Sequence, residues 1–250
     1  MNKPLVSIIT TCLNNADTIE DTIQSVLNQS YSNIEYIIID GASNDSTLDI
    51  INKYKTNIKH IISEKDNGIY EALNKGLNIS TGEIIGILHA DDFFSSNQVI
   101  EKIVDTFLKK DIDATYADLD YIDRDDTTKI KRHWVSGKYD KCKFLKGWMP
   151  PHPTVFIKKS IYSKFGQFNT NFKQSADYEL LLRLMYKHGI KVVYIPSVLV
   201  KMRVGGKSNK NILNRLKANR EDKLAWKLNG LKASTFTHIL KPLSKLGQFF

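Results

Sequence analysis

Four short β-branched runs alternate with helix-patterned stretches over the first 110 residues, and that alternation most narrows the fold. Residues 6–10 (VSIIT), 34–40 (IEYIIID), 58–63 (IKHIIS) and 83–88 (EIIGIL) each read as a strand. Between and after them lie stretches whose apolar residues fall three and four apart, beginning with Ile19, Ile23, Val26 and Leu27. Asp17 with Glu20 is expected to cap that first helix; further helices are expected over 46–55, 68–78 and 97–109. Strands alternating with helices predict an α/β fold: a mainly parallel central sheet covered by helices on both faces.

In such a sheet, ligands sit beyond the carboxyl ends of the strands. Asp40 ends the second run, Glu64 and Asp66 follow the third, and Asp91 and Asp92 follow the fourth, so all five acids are expected on one edge. The last pair closes the stretch GEIIGILHADDFF, where an apolar strand runs straight into two adjacent carboxylates. Their repulsion calls for a positive partner. A divalent cation answers it: carboxylate oxygens suit Mg²⁺ or Mn²⁺, and substrate phosphates usually complete the shell. The edge therefore points to a phosphate-bearing ligand. The competing reading of a lone Asp-Asp pair is a solvated loop that caps the next helix.

The second half is less regular. Strands are expected over 114–122 and 129–135, then a loop, short strand and short helix over 150–168, a helix over 176–189 and a closing strand at 192–196. Apolar content of 42% and charged content of 25% suit a soluble globular chain, and no apolar run nears the roughly 18 residues a bilayer span needs. Two cysteines, Cys12 and Cys142, build no disulfide framework, and the start carries no secretory leader pattern. A reduced, cytoplasmic location is expected, with the inner face of the plasma membrane as its refinement. The net charge of +9 sits almost wholly in residues 201–250, which hold 12 Lys/Arg against Glu221 and Asp222. Basic residues interleaved with apolar ones there suit peripheral contact with an anionic bilayer; a helix packed across the body is the alternative.

Read together, four blocks resemble family 2 glycosyltransferases of the GT-A fold, a Rossmann-like α/β architecture. They are VSIITTCLNNADTIEDTIQSVLNQSY, IIIDGASNDST, EKDNGIYEALNKGL and GEIIGILHADD, in order over roughly residues 4–100. HPTVFIKKSIYSKFGQFN and SADYELLLRL are similar to the family's acceptor-side half and carry the likeness to about residue 205. The bacterial enzymes that build capsule, O-antigen or exopolysaccharide units look nearest in pattern. The resemblance implies a catalytic domain over 1–205, with a nucleotide-sugar half at 1–110 and an acceptor half at 111–205, followed by a basic helical extension at 206–250.

What it implies for single residues is as follows. Asp40 would recognise the nucleotide base, and Thr11, Leu13 and Asn14 would lie against the nucleotide. Asp66, with Asn74 beside it in the same block, would hold base or ribose. The family's Asp-X-Asp motif falls on His89, Ala90 and Asp91, so a histidine replaces its first acid. Asp92 is then assigned to the metal and Asp91 to metal or ribose, with His89 left between contact and packing. Asp177 would be the general base, with Glu179 as fallback and an N-cap as the competing role for Asp177. His152 is a candidate for the acceptor side or a loop histidine set between prolines. Trp134, Trp148 and Tyr178 are read as sugar-stacking or core. The implied donor is a nucleotide-sugar, a UDP-sugar first; the acceptor is a glycan or a polyprenyl-diphosphate-linked sugar. Transfer would be metal-assisted and inverting, by single displacement.

Two rivals remain. A sugar nucleotidyltransferase would need a Gly-rich, basic phosphate loop after the first strand, and TCLNNAD has neither. A non-catalytic nucleic-acid binder would use the basic tail, but the acidic ligand edge repels phosphate, so no nucleic-acid partner is expected.

Overall fold

A computed structural model describes residues 3–205 and 212–233, with side chains from Lys217 onward in the final helix. The strands are β1 Val6–Cys12, β2 Ile34–Asp40, β3 His60–Ser63, β4 Ile84–Ile87, β5 Asp92–Phe94, β6 Ala114–Ile122, β7 Ile130–Trp134, β8 Phe156–Lys158 and β9 Val192–Arg203. The helices are α1 Ile19–Leu27, α2 Thr47–Lys53, α3 Ile69–Ile79, α4 Val99–Lys109, α5 Lys141–Leu145, α6 Lys159–Phe165, α7 Ala176–Leu181 and α8 Ile212–Leu228. A single 3-10 turn at His152–Thr154 precedes β8, and α7 runs on into a π-helical stretch, Leu182–Lys187.

Among the described residues all nine strands join one sheet in the order β3-β2-β1-β4-β8-β6-β9-β5, with β7 paired to β6 off that path. The first four are parallel, as the alternation predicts. Around β8 the pairing turns antiparallel, while β6 and β9 run parallel to each other. The sheet thus crosses both halves without a break. Alternate residues of the strands face opposite layers. Ile9, Ile37, Ile39, Ile85 and Ile87 pack under Ala72, Leu73 and Leu77 of α3, and this layer continues to Trp226 of α8. Val6, Ile8, Ile38 and Ile84 pack under Ile19, Ile23 and Val26 of α1 and under α4.

Several local expectations change. The Asp17–Glu20 capping box does not form: α1 starts at Ile19 with no side-chain cap, and the Asn15 carbonyl takes the Thr18 and Ile19 N–H groups. β1 extends through Thr11 and Cys12, which therefore belong to the strand rather than the following loop. Asp92 opens the short strand β5, paired with Met202 of β9, where a loop into α4 was expected. β9 runs to Arg203 instead of stopping at residue 196, bulging after Ile195 so that Pro196 stays out of the ladder. The apolar and basic residues at 236–246, where membrane contact was also expected, lie outside the described residues.

Candidate active site at the carboxyl edge of the sheet

The parallel register aligns Cys12 with Asp40, and Asp40 with Ser63, so the ends of β1, β2 and β3 share one edge. The Leu88 N–H donates to the Ile9 carbonyl, which brings the His89-to-Asp92 turn to that same edge. The acids gather as the topology requires, but they do different things.

Asp40 is fully buried. Its carboxylate accepts from the Ser43 N–H at 2.9 Å, from both Ser43 and Ser63 hydroxyls and from the Cys12 thiol. It holds the turn after β2 in place. That burial, with the negative charge of Asp40 beside it, pushes the Cys12 thiol up, so it is no nucleophile. Asn14 adopts a left-handed φ of 54° and ties the same turn from the other side, its N–H to Ser43 and its amide oxygen to the Asn44 N–H. Leu13 between them is exposed, and Thr11 is buried with its hydroxyl 3.4 Å from His89 Nδ1.

Asp66 and Glu64 have a cation that sequence reading passed over. Lys75 Nζ lies 2.5 Å from Asp66, 2.7 Å from Glu64 and 3.8 Å from Glu71. Those bonds hold the Lys75 ammonium above its usual range. The signal was available: Lys75 follows Glu71 by one helical turn. Asn74 is committed too. Its amide donates to the Phe168 carbonyl and accepts from the Phe168 N–H, pinning α3 to the segment after α6.

The vicinal pair separates. Asp91 is half-buried, whereas Asp92 is 1% exposed and neither of its oxygens is in hydrogen-bonding geometry. Burial first, then repulsion from Asp91, raises Asp92 well above the carboxylate range, with the Arg203 charge working against both. Arg203 is itself buried; its guanidinium donates to the Asp91 carbonyl at 3.0 Å and to Asp21 of α1. Asp92 was expected to lead at a metal, yet Asp91 is the carboxylate with an open side. Among the described residues no group of three or more His, Cys, Asp or Glu is placed to hold a metal. One open carboxylate, with an unsatisfied one behind it, fits a Mg²⁺ or Mn²⁺ ion that relies on substrate phosphates for the rest of its shell.

Asp177 and His152, both from the acceptor half, come to the same place. His152 Nδ1 is 3.3 Å from Asp177 Oδ2, and its Nε2 is 2.9 Å from His89 Nε2. The Tyr70 hydroxyl donates to Asp177 Oδ1 at 3.2 Å. Burial, then the charge of His152, pushes His89 down to about 3; burial also lowers His152, against the pull of Asp177 and Asp91. Both rings are thus neutral near pH 7, and one donates to the other. Burial, then the Asp177 charge, holds the Tyr70 phenol high, so it stays a donor. Tyr70 and the pairing of the two histidines were not read from the sequence, since nothing local links residues 89 and 152.

The fallback acid is excluded from this group. Glu179 is 4% exposed and bonded to Arg183 at 2.8 and 3.0 Å and to Asn229 at 3.0 Å. Three of the roughly four acceptor positions of its carboxylate are taken, and burial closes it to an acceptor sugar. Tyr178 is core, its hydroxyl accepting from Trp226, and Trp148 packs among Tyr116, Tyr139 and Phe144. Trp134 stacks on Tyr121.

Known proteins share the sequence pattern and the fold. The sequence pattern of Glycosyl transferase family 2 matches residues 7–171. An uncharacterised glycosyltransferase of Mycobacterium tuberculosis is 31% identical over 184 residues, 73% of this chain and 69% of that one. A PGL/p-HBAD biosynthesis glycosyltransferase of Mycobacterium bovis is 27% identical over 226 residues, 86% and 85% of the two chains. Among solved structures, S. aureus TarS residues 1–349 with UDP-GlcNAc superposes with a TM-score of 0.70 at 13% identity, over 94% of this chain and 69% of that one. The mannosyltransferase PcManGT of Pyrobaculum calidifontis with GDP-Man and Mn²⁺ gives 0.68 at 20% identity, over 98% and 70%. Both structural likenesses establish the fold, which is GT-A.

Proposed function

The chain belongs to glycosyl transferase family 2, and we propose that it moves a sugar from a nucleotide-sugar to an acceptor hydroxyl by a single, inverting displacement with Asp177 as base. The observation that carries this reading is the position of Asp177. A carboxylate from the acceptor half stands at the ligand edge, oriented from two sides by Tyr70 and His152, next to the Asp91 turn.

Each step follows from groups at that edge. Asp177 takes the proton of the acceptor hydroxyl as its oxygen bonds to the anomeric carbon. The bond from that carbon to the diphosphate breaks, and the departing nucleoside diphosphate keeps the electron pair. No carboxylate becomes a nucleophile, unlike in a retaining glycosidase, so configuration inverts. Mg²⁺ or Mn²⁺ on Asp91 and the donor's phosphates would offset the charge left on the diphosphate. Arg203 fixes the Asp91 backbone, and the neutral His89–His152 pair keeps competing charge away from that turn.

A UDP-sugar is the first donor to test, because TarS was solved with UDP-GlcNAc; PcManGT with GDP-Man makes a GDP-sugar the second. A glycan or a lipid-linked sugar is the proposed acceptor. No helix among the described residues is long and apolar enough to cross a membrane. The outer face of α8 exposes Lys217, Arg220, Lys223 and Lys227 with Leu224 and Leu228, which suits contact with an anionic bilayer.

Hydrolysis of a panel of UDP-, GDP- and dTDP-sugars in Mn²⁺ identifies the donor. Asp177→Asn should then keep donor affinity and lose on the order of a hundredfold or more in turnover, the range of a missing general base. Turnover that survives the substitution removes Asp177 from this role.

A further inference from the structure

Three consecutive backbone N–H groups ahead of α7 end on one carboxylate from the far end of the chain. Lys173 donates to Glu221 Oε1 at 3.0 Å; Gln174 and Ser175 donate to Oε2 at 2.8 and 2.9 Å. Ser175 directly precedes α7, and Asp177 is its second residue. Even with the π-helical stretch that continues it to Lys187, α7 is too short to be stable alone, so its entry is set by contacts from outside. α8 does this along one side. Besides Glu221, the Trp226 indole donates to Tyr178 at 2.8 Å, Asn229 donates to Glu179, and the Ser175 hydroxyl reaches the Ala218 carbonyl. Asp177 leaves the other side, toward Tyr70 and His152.

We propose that Glu221 is a positioning residue for Asp177, making the C-terminal helix a working part of the acceptor-side site; this rests on the reading of Asp177 as base. The same clamped segment does a second job. Residues 170–173 form one wall of an open cleft of about 290 Å³, and residues 67–71 form the other, including Tyr70, which touches Asp177. One carboxylate therefore sets both the base and a wall beside it. Bonds from backbone N–H to an ionised carboxylate are the stronger kind, and they fix direction as well as distance. Glu221 is half-buried, so water can replace its bonds and the fold loses little without it. Geometry at the reacting atoms is less forgiving: a displacement of about 1 Å can cost on the order of a hundredfold in rate.

The test uses full-length protein and whichever nucleotide-sugar of the panel the wild type hydrolyses in Mn²⁺, with water as the acceptor. Glu221→Ala should lower kcat by roughly ten- to a hundredfold, while donor affinity by calorimetry and Tm stay near wild type. Glu221→Gln, which keeps one acceptor oxygen, should recover most of the loss. In an Asp177→Asn background, Glu221→Ala should add nothing to the residual rate, because the residue it acts through is gone. An unchanged kcat in Glu221→Ala overturns the proposal. So does a loss that follows donor affinity and Tm together, or one that adds in full to Asp177→Asn. An inactive Asp177→Asn beside a fully active Glu221→Ala removes this inference alone. A fully active Asp177→Asn removes the base reading and this inference with it.

Discussion

The His89–His152 contact gives the ligand edge a measurable pH signature. His89 is held down to about 3 in the folded chain, against about 6.5 for a free imidazole. Its folded value is the lower one, so the unfolded chain binds the extra proton first. Stability is therefore full above pH 6.5 and declines as pH falls from there toward 3. The slope is at most about 1.4 kcal/mol per pH unit, reduced because the ring is not wholly enclosed. Thermal melts from pH 7 to pH 4 should fall more steeply for wild type than for His89→Asn; parallel curves would show that the ring is not held neutral. Which residues share this edge was legible, because each acid follows a strand end. What each acid does was not. Asp40 is saturated by Ser43, Ser63 and Cys12, and Asn74 by Phe168, through partners as far as 94 residues away in sequence. Asp91 and Asp92 are adjacent letters, yet the pleat of β5 sends the second indoors.

At the scale of elements, the first half was readable because period-2 and period-3.6 patterns alternate there and each strand is paired in parallel with a neighbour. The α3–β1 contact shows how close that packing is. Gly76 lies on the face of α3 that meets β1, where an added Cβ would come within 2.5 Å of the Ile9 side chain. Alanine would gain about 1 kcal/mol in helix propensity. Overpacking a filled layer costs about 1–3 kcal/mol, and Ile9 is fully buried with no room to retreat. The clash should win. Gly76→Ala is expected to lower Tm by a few degrees, at about 2–4 °C per kcal/mol for a chain of this size. A variant as stable as wild type would mean that α3 can slide on the sheet. Reading failed where geometry breaks a pattern: in the three-residue strand β5, at the Pro196 bulge in β9, and where α7 widens into a π-helical stretch. α8 was expected as a helix, with packing across the body left as the alternative to membrane contact. Its inward face mixes Asp222, Ala225, Trp226 and Asn229, all buried, so no apolar stripe announces that it packs.

On the scale of the whole molecule, α8 joins the two charge regimes of the chain. Its inner face holds the segment that carries Asp177, while its outer face displays four cations and two leucines. The first 200 residues carry 24 basic and 25 acidic side chains, so attraction to an anionic surface must come from the C-terminal side. Each Lys or Arg at such a surface contributes about 1 kcal/mol, so the four on α8 would together supply about 4 kcal/mol. This attraction is screened by salt, whereas burial of Leu224 and Leu228 is not. The chain should co-sediment with vesicles rich in phosphatidylglycerol at low ionic strength, release at high salt, and ignore phosphatidylcholine vesicles. Replacing Lys217, Arg220, Lys223 and Lys227 together by glutamine should weaken sedimentation at least about tenfold and leave donor hydrolysis unchanged, because none of the four touches the Asp177 segment. Equal sedimentation of that variant would move the contact off α8.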